Sequence, residues 1–297
     1  GYFARTRADD LLIHAIQSVL SVADSTQQVN NNIDDIVVGC AMPEGPQGLN
    51  VARISTLLAG LPDSTPAYTL NRFCSSGLQS VANAAELVKS GSADLVIAAG
   101  VESMSSVPMM GFKPSVNPKV LEDENIAIAY GMGITAEKVV EKYNISREAQ
   151  DEFAYNSHQK AILANNNGLF EEEISPITTN ETTYSLDSKE YETVTNTVSK
   201  DEGPREGTST EVLGKLRTAF VQNGTVTAGN SSQMSDGAAA VLVASEEALE
   251  KYNLNPKAEF LGFSVAGVPA EIMGIGPVKA IPKVLKSVDL SIDDIGW

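Results

Sequence analysis

The chain has few cysteines, few basic residues and no long apolar run. Two cysteines in 297 residues, Cys40 and Cys74, are too few for a disulfide framework and predict a reducing, intracellular setting. The 21 Lys and Arg against 38 Asp and Glu leave a net charge of −17. This charge argues against nucleic-acid binding, which depends on neutralising phosphates. No run of about 18 apolar residues occurs, so we expect no membrane span.

The residues that are present predict an α/β protein. Hydrophobic residues make up 42% of the chain and charged residues 20%, which is typical of a globular enzyme. Apolar spacing predicts alternating elements: helix 8–24, strand 33–40, helix 51–59, strand 66–70, helix 75–90 and strand 93–100. Because these strands are apolar on both faces, we expect a mixed or parallel sheet covered on both sides.

The pattern changes after residue 100. A polar, Met-containing stretch over about 101–222, with a helix at 147–165, indicates an inserted loop domain. A strand returns at 238–243, and a second unit is predicted after Pro256, with a strand at 259–268 and a helix at 278–288. We therefore predict an N-terminal domain at 1–248, which includes the loop domain, and the start of a C-terminal domain at 255–297.

Cys74 lies where a predicted strand meets a predicted helix, in Asn71-Arg72-Phe73-Cys74-Ser75-Ser76-Gly77-Leu78-Gln79. The unpaired N–H groups and the positive dipole end of a helix N-terminus favour a thiolate, which is the nucleophilic form of cysteine. The residues alone are equally consistent with a cysteine that only packs at a tight turn, with Ser75 as the helix cap.

The segment around Cys74 resembles the nucleophile motif of thiolases, in which the cysteine forms the acyl-enzyme. Six further segments resemble thiolases in the same order: Gly100-Val101-Glu102-Ser103-Met104-Ser105, Met132-Gly133-Ile134-Thr135-Ala136-Glu137, Asp201-Glu202-Gly203-Pro204-Arg205, Gly224-Thr225-Val226-Thr227-Ala228-Gly229-Asn230-Ser231-Ser232, Asp236-Gly237-Ala238-Ala239-Ala240 and Gly267-Val268-Pro269-Ala270-Glu271-Ile272-Met273-Gly274-Ile275-Gly276-Pro277. The third and sixth segments most resemble the peroxisomal 3-ketoacyl-CoA thiolases.

This resemblance implies a five-layer αβαβα sandwich with a loop domain over the active site. The first half would be complete except for its first strand, and the second half would be truncated. The resemblance also implies a homodimer that uses acyl-CoA and coenzyme A as substrates, with no metal and no tightly bound cofactor. It implies a peroxisomal location, with a mitochondrial or cytosolic one as the alternative.

Four residues match binding positions of the family. The resemblance implies that Arg205 contacts the nucleotide end of coenzyme A, that Ser232 lies near the pantetheine chain, and that Met132 and Met273 line the acyl and pantetheine channel. Each has a simpler interpretation. Arg205 would be a solvated charge, Ser232 a polar turn residue, and the two methionines core filling.

The remaining cysteine and the two histidines carry no motif. Cys40 ends a predicted strand, and we interpret it as core packing. His14 is predicted on the polar face of its helix and His158 on the helix of the insertion. Neither has metal-ligand or catalytic-base residues around it in sequence.

Several thiolase motifs do not occur in the 297 residues. The family has an Asn-Glu-Ala-Phe segment, a Gly-His-Pro histidine that activates the nucleophile, and a second cysteine near the C-terminus. We therefore expect a fragment, beginning before Gly1 and continuing after Trp297, that is inactive and unstable by itself. A biosynthetic acetoacetyl-CoA thiolase and a non-catalytic acyl-CoA or lipid-binding relative remain as alternatives. A cysteine hydrolase is disfavoured because Cys74 lacks a Gly-x-Cys-x-Gly elbow.

Overall fold

The structure, a computed structural model, describes residues 1–23 and 28–296. Asp24, where the first predicted helix ends, and Trp297 lie outside the described residues. The α-helices are α1 Ala8–Ala23, α2 Val51–Leu58, α3 Ser76–Lys89, α4 Met132–Tyr143, α5 Arg147–Asn166, α6 Thr210–Gly214, α7 Glu246–Tyr252 and α8 Gly276–Ser287. The strands are β1 Asp35–Gly39, β2 Ala67–Leu70, β3 Leu95–Ser103, β4 Ile177–Tyr184, β5 Tyr191–Val198 and β6 Asp236–Ala244.

The chain forms two compact units, each built from separate stretches of sequence. Unit 1 comprises Gly1–Pro114, Glu173–Lys200 and Met234–Phe260. Unit 2 comprises Ser115–Glu172, Asp201–Gln233 and Leu261–Trp297. The predicted loop domain at about 101–222 therefore contributes to both units, while the predicted domain boundaries stay a prediction.

Unit 1 contains a four-stranded mixed sheet in the order β2-β1-β3-β6. Strand β1 pairs in parallel with β2 and with β3, so that Gly39 lies beside both Leu70 and Gly100. Strand β6 is antiparallel to β3, from Leu95 opposite Ala244 to Ser103 opposite Asp236. The first strands of the unit thus end at the same edge of the sheet, and this edge holds Cys74 and its neighbours.

The two central strands of this sheet, β1 and β3, are buried on both faces, as their apolar residues predicted. Alternate residues of β1 and β3 point to opposite faces, because side chains alternate along a strand. Ile36, Val38 and Ile97 pack in one cluster with α1, while Val37 and Val96 pack in a second cluster with α3. The two helices thus cover opposite faces, and the buried apolar surface holds α3 firmly against the sheet.

Unit 1 also contains a hairpin that was not predicted as a sheet. Strands β4 and β5 pair antiparallel to each other from Ile177 opposite Val198 to Tyr184 opposite Tyr191. Threonines alternate along β5 and occur as two adjacent pairs on β4, and they meet across the hairpin, as at Thr182 and Thr193. These β-branched residues favour extended backbone. The prediction of a polar loop domain over this stretch did not take them into account.

Unit 2 is largely helical. Helix α4 packs against a short 3-10 helix at Ala270–Ile275, and α5 packs against α6. The side chain of Ser146 caps α5 by accepting a hydrogen bond from the Ala149 N–H. Arg147 then forms an ion pair of 2.7 Å with Asp151 and donates to the carbonyl oxygen of Leu213 at the end of α6.

The predicted strand at 259–268 is wrong. The structure has no strand there, because a strand needs a hydrogen-bonded neighbour and this segment has none among the described residues. The helix predicted after it forms, as α8. Among the described residues, no helix combines the length and the apolar character needed to cross a membrane.

Candidate active site

Cys74 lies on a short turn between β2 and α3. Its side chain is exposed, and α3 begins two residues later at Ser76, with Ser75 as the N-cap residue. Phe73, immediately before it, has a φ of +46°, in the left-handed region that bulky residues rarely adopt. The predicted strand-to-helix position of Cys74 is confirmed, and the turn presents the thiol to solvent.

Ser76, and not Ser75, holds the start of α3. The Ser76 hydroxyl accepts a hydrogen bond of 2.8 Å from the N–H of Arg72 and donates one of 2.6 Å to the carbonyl oxygen of Phe73. Ser76 is buried, whereas the Ser75 side chain makes no capping bond. Ser75 therefore occupies the N-cap position, as the alternative interpretation has it, but its side chain makes no capping bond. Ser76, one position later, instead binds the backbone of Arg72 and Phe73 in the preceding turn.

The first turn of α3 lies directly against the sheet. A Cβ added to Gly39 at the end of β1 would lie 2.6 Å from the amide nitrogen of Gly77, well inside van der Waals contact. A Cβ on Gly100, the neighbour of Gly39 on β3, would lie 3.5 Å from the Gly77 Cα, an ordinary contact. Glycine at position 39 is thus required for this close approach of helix and strand.

The loop after β1 is fastened to the end of β3 by Glu102. Its carboxylate accepts a hydrogen bond of 2.7 Å from the N–H of Ala41 and another from the side-chain amide of Gln47. Gln47 is fully buried and also accepts from the N–H of Ser103 at 2.8 Å. Neither Glu102 nor Gln47 was assigned a role from the sequence, where each looked like an ordinary polar residue.

Asp236 brings two of the thiolase-like segments together. Its carboxylate accepts hydrogen bonds from the N–H of Ser105 at 2.9 Å and from the Ser105 hydroxyl at 2.7 Å. It also accepts from the Ser103 hydroxyl at 3.1 Å. The loop that follows β3 is thereby tied to the beginning of β6.

Cys40 is part of the core of unit 1, as predicted. It is 1% exposed and lies in the cluster covered by α1. Burial, together with the nearby Glu102 carboxylate, raises the pKa of the Cys40 thiol to about 12. A thiol with such a pKa stays protonated near neutral pH and is a poor nucleophile.

Arg205 and Ser232 lie on neighbouring loops of unit 2. A Cβ on Gly203 would lie 3.0 Å from the side-chain amide of Gln233, which places the two loops side by side. Both residues are exposed, and the N–H of Arg205 donates to His158 Nδ1 at 3.3 Å. Within the described part of the chain the Arg205 guanidinium has no hydrogen-bond or ion-pair partner, so its donors are open to an anion.

Met132 and Met273 belong to two segments of unit 2 that pack together. Met132 is the first residue of α4, and Met273 lies in the 3-10 helix that contacts α4. Their exposed fractions are 42% and 44%. Core filling therefore does not describe them, because a core methionine is buried. Cys74 lies in unit 1 and these four residues in unit 2, so their convergence on one site is a proposal.

A loop of unit 2 is organised by two acidic side chains that the sequence analysis missed. Glu137 on α4 accepts from the N–H groups of Thr225 and Val226 at 2.7 and 2.8 Å. Asp151 on α5, buried at 3% exposure, accepts from the side-chain amide of Asn230 at 3.0 Å. These bonds fix the thiolase-like segment that ends at Ser232.

Neither histidine is a partner of Cys74. Nε2 of His14 lies 3.2 Å from the carbonyl oxygen of Ser175, and His158 accepts from the backbone of Arg205. Among residues 1–23 and 28–296, no group of three or more His, Cys, Asp or Glu side chains is arranged to hold a metal ion.

Family models match nearly the whole chain. The model of the thiolase N-terminal domain matches residues 1–247, and that of the thiolase C-terminal domain matches residues 254–297. A 3-ketoacyl-CoA thiolase of Bacillus subtilis (strain 168) is 48% identical over 296 residues, which cover 100% of this chain and 74% of the relative.

Solved structures show the same similarity. The dimeric peroxisomal thiolase of Saccharomyces cerevisiae is 38% identical with a TM-score of 0.86, over 99% of this chain and 73% of that one. The human mitochondrial 3-ketoacyl-CoA thiolase is 34% identical with a TM-score of 0.83, over 99% of this chain and 74% of that one.

Proposed function

Because the chain belongs to the thiolase family of acyltransferases and has its fold, we propose that it is a 3-ketoacyl-CoA thiolase whose nucleophile is Cys74. The observation that carries the proposal is the exposed thiol on a fastened turn at the start of α3. Cys40, the other thiol, is buried and stays protonated, so it does not compete for this role.

The proposed reaction is thiolytic cleavage in two steps. The Cys74 thiolate attacks the 3-keto carbon of the substrate, and the carbon–carbon bond to the acetyl unit breaks. The electron pair of that bond leaves with acetyl-CoA, which takes up a proton, and the shortened acyl group stays on sulfur as a thioester. The thiolate of a free coenzyme A then attacks the thioester and releases the shortened acyl-CoA and Cys74.

The proton transfers of this scheme need groups beyond Cys74. Neither His14 nor His158 is a partner of the Cys74 thiol, and Cys40 is buried. We therefore propose that the 297-residue polypeptide, tested by itself, shows no thiolytic turnover. Measurable thiolytic turnover by this polypeptide would contradict that proposal.

Coenzyme A is the proposed co-substrate, with no tightly bound cofactor. The open guanidinium of Arg205 suits a phosphate or an adenine ring, because its planar group of donors binds anions and stacks on rings. The adjacent loop brings Ser232 within the same part of unit 2, and the half-exposed Met132 and Met273 offer flexible apolar surface to a pantetheine or acyl chain.

The role of Arg205 is tested by measuring coenzyme A affinity calorimetrically. We expect Arg205→Ala to weaken binding by about tenfold, the size of one lost charge-assisted contact. Arg217→Ala is the matched control, since Arg217 is an exposed arginine of the same unit. Equal affinities of the wild type and Arg205→Ala would leave Arg205 as a solvated charge.

The nucleophile is tested by trapping the acyl-enzyme. The protein as its gene encodes it is incubated with a 3-ketoacyl-CoA, quenched in acid and digested, and peptide mass spectrometry locates the acyl group. We expect it on Cys74 and expect no acyl-enzyme in Cys74→Ala. Binding of acyl-CoA without any acylated Cys74 would favour the alternative of a non-catalytic acyl-CoA or lipid-binding protein.

The degradative direction and a role in fatty acid β-oxidation are also proposals, supported by the relatives named 3-ketoacyl-CoA thiolase. Comparing turnover of long-chain and four-carbon 3-ketoacyl-CoA tests them. Efficient cleavage of long chains is expected, whereas activity restricted to the four-carbon substrate would favour a biosynthetic acetoacetyl-CoA thiolase.

We also propose a homodimer in the peroxisome, on the likeness to a dimeric peroxisomal thiolase. Sedimentation equilibrium is expected to give twice the mass of one chain, and a monomer would contradict the dimer. Imaging a tagged protein beside a peroxisomal marker tests the location. A tagged protein found in mitochondria or in the cytosol would contradict the peroxisomal location.

A further inference from the structure

The turn that carries Cys74 holds an unfavourable backbone conformation without help from the core. A left-handed conformation costs a residue with a side chain roughly 1–2 kcal/mol. Phe73 adopts it at φ +46°, although 63% of its surface is exposed. Since the Phe73 ring is not anchored by packing, polar contacts of the turn must hold the conformation.

Asn71 supplies two of these contacts. Its side-chain oxygen accepts a hydrogen bond of 2.7 Å from the N–H of Phe73, which closes a turn of the type that asparagine favours. Its side-chain nitrogen donates a bond of 2.8 Å to the carbonyl oxygen of Ala41, on the loop after β1. One amide group therefore sets the local turn and also ties it to a neighbouring loop.

That neighbouring loop is itself fixed to the sheet. The N–H of Ala41 donates to Glu102 at the end of β3, and Glu102 also binds the buried Gln47. A continuous set of hydrogen bonds thus runs from β3 through Glu102, Ala41 and Asn71 to the backbone of Phe73, one residue before the nucleophile.

We propose that Asn71 is a positioning residue for Cys74. It acts through the Phe73 backbone, which it keeps in the left-handed conformation, and so holds the thiol at the N-terminus of α3. No hydrogen bond joins it to the Cys74 sulfur in the described part of the chain. The consequence for acyl transfer depends on the proposed function, but the positioning of the thiol does not.

The test measures alkylation of Cys74 by iodoacetamide at a fixed pH in the full chain. Peptide mass spectrometry separates Cys74 from the buried Cys40, which serves as internal reference. We expect Asn71→Ala to slow alkylation of Cys74 by about tenfold, less than the roughly hundredfold that an ångström of misplacement costs in an active site. Asn117→Ala is the matched control, because Asn117 accepts the same kind of bond, from Lys119 N–H at 3.0 Å.

Two rescue variants separate positioning from general stability. Asn71→Ser keeps an acceptor for the Phe73 N–H and is expected to recover most of the rate. The double variant Asn71→Ala/Phe73→Gly is expected to recover at least half of it, because glycine adopts positive φ without strain. Thermal unfolding midpoints of all variants should remain close to that of Asn117→Ala.

An unchanged alkylation rate in Asn71→Ala would overturn the proposal. So would a slow rate that neither Asn71→Ser nor the glycine double variant recovers, because Asn71 would then act by some route other than the Phe73 backbone. The proposed function fails separately, through the absence of an acyl group on Cys74 in the wild type, and that result leaves the alkylation comparison intact.

Discussion

The regions that follow β1 and β2 differ sharply although the two strands are parallel neighbours. Cys40 comes directly after β1 and is 1% exposed, while Cys74 comes four residues after β2 and is exposed. The loop after β1 folds back over Cys40 and is fastened by Gln47 and Glu102. The turn after β2 contains Phe73 in a left-handed conformation and leaves Cys74 exposed. The exposure of each thiol is thus decided by the local turn and not by the place of the cysteine in the sheet.

The largest expected loss of stability comes from replacing Gly39, the last residue of β1, which lies against the start of α3. We expect Gly39→Ala to lower the free energy of unfolding by roughly 2–3 kcal/mol, because the new methyl group meets backbone atoms of Ser76 and Gly77. Urea unfolding measures it. Gly100→Ala, at the paired position on β3, is the control and should cost less than about 1 kcal/mol. Equal costs would mean that α3 does not need this close approach.

Ser76 and Ser75 provide the second contrast, inside the turn that carries Cys74. We expect Ser76→Ala to lower the free energy of unfolding by about 1–2 kcal/mol, because it leaves the Arg72 N–H without its partner. The Phe73 carbonyl loses the hydroxyl bond but still accepts from the backbone N–H of residue 76. Ser75→Ala should stay within about 0.5 kcal/mol of the wild type, since Ser75 makes no capping bond. A larger loss in Ser75→Ala would restore Ser75 as the cap.

The pH dependence of stability tests the burial of Cys40. Below pH 9 the thiol is protonated in the folded and the unfolded chain. Above the ordinary pKa of 9.0 the unfolded chain loses the proton, while the folded chain keeps it up to about pH 12. Stability is therefore lost as the pH rises through this window, by on the order of 1 kcal/mol at pH 10.

Cys40→Ala isolates this contribution. The variant should lose less stability than the wild type between pH 8 and pH 10, measured by urea unfolding at both values. The constant cost of removing a buried side chain cancels in that difference. Identical losses in the two proteins would show that Cys40 titrates freely and is not buried as described.

The smallest effect on stability is expected at Cys74 itself. Because the side chain is exposed and makes no hydrogen bond in the described part of the chain, Cys74→Ala should change the free energy of unfolding by less than about 0.5 kcal/mol. Its acylation should nevertheless be abolished. A large loss of stability would instead support the interpretation in which Cys74 packs at the turn.

Much of unit 1 was predictable from local sequence. The apolar spacing located α1, β1, α2, β2, α3 and β3 within a few residues of their bounds. The family predicted from the segments around Cys74 is confirmed, as is the burial of Cys40. These features depend on short-range periodicity and on residues that are adjacent in sequence.

The misses share a physical cause. The strand predicted at 259–268 lacks a partner among the described residues, and the hairpin at β4 and β5 forms because two threonine-rich segments pair with each other. Strand formation depends on pairing with another segment, which the composition of one segment does not show. Glu102, Gln47 and Glu137 escaped notice for the same reason, since their partners lie tens of residues away.

The amino-acid sequence by itself determined the α/β class, the family and the identity of the candidate nucleophile, because each is written in short motifs and in the spacing of apolar residues. Only the tertiary structure decided which contacts cover Cys40, which serine holds α3, and how Asn71 connects the turn to β1 and β3. Those properties arise from contacts between segments that are distant in sequence, and they exist only once the sheet and its helices have packed.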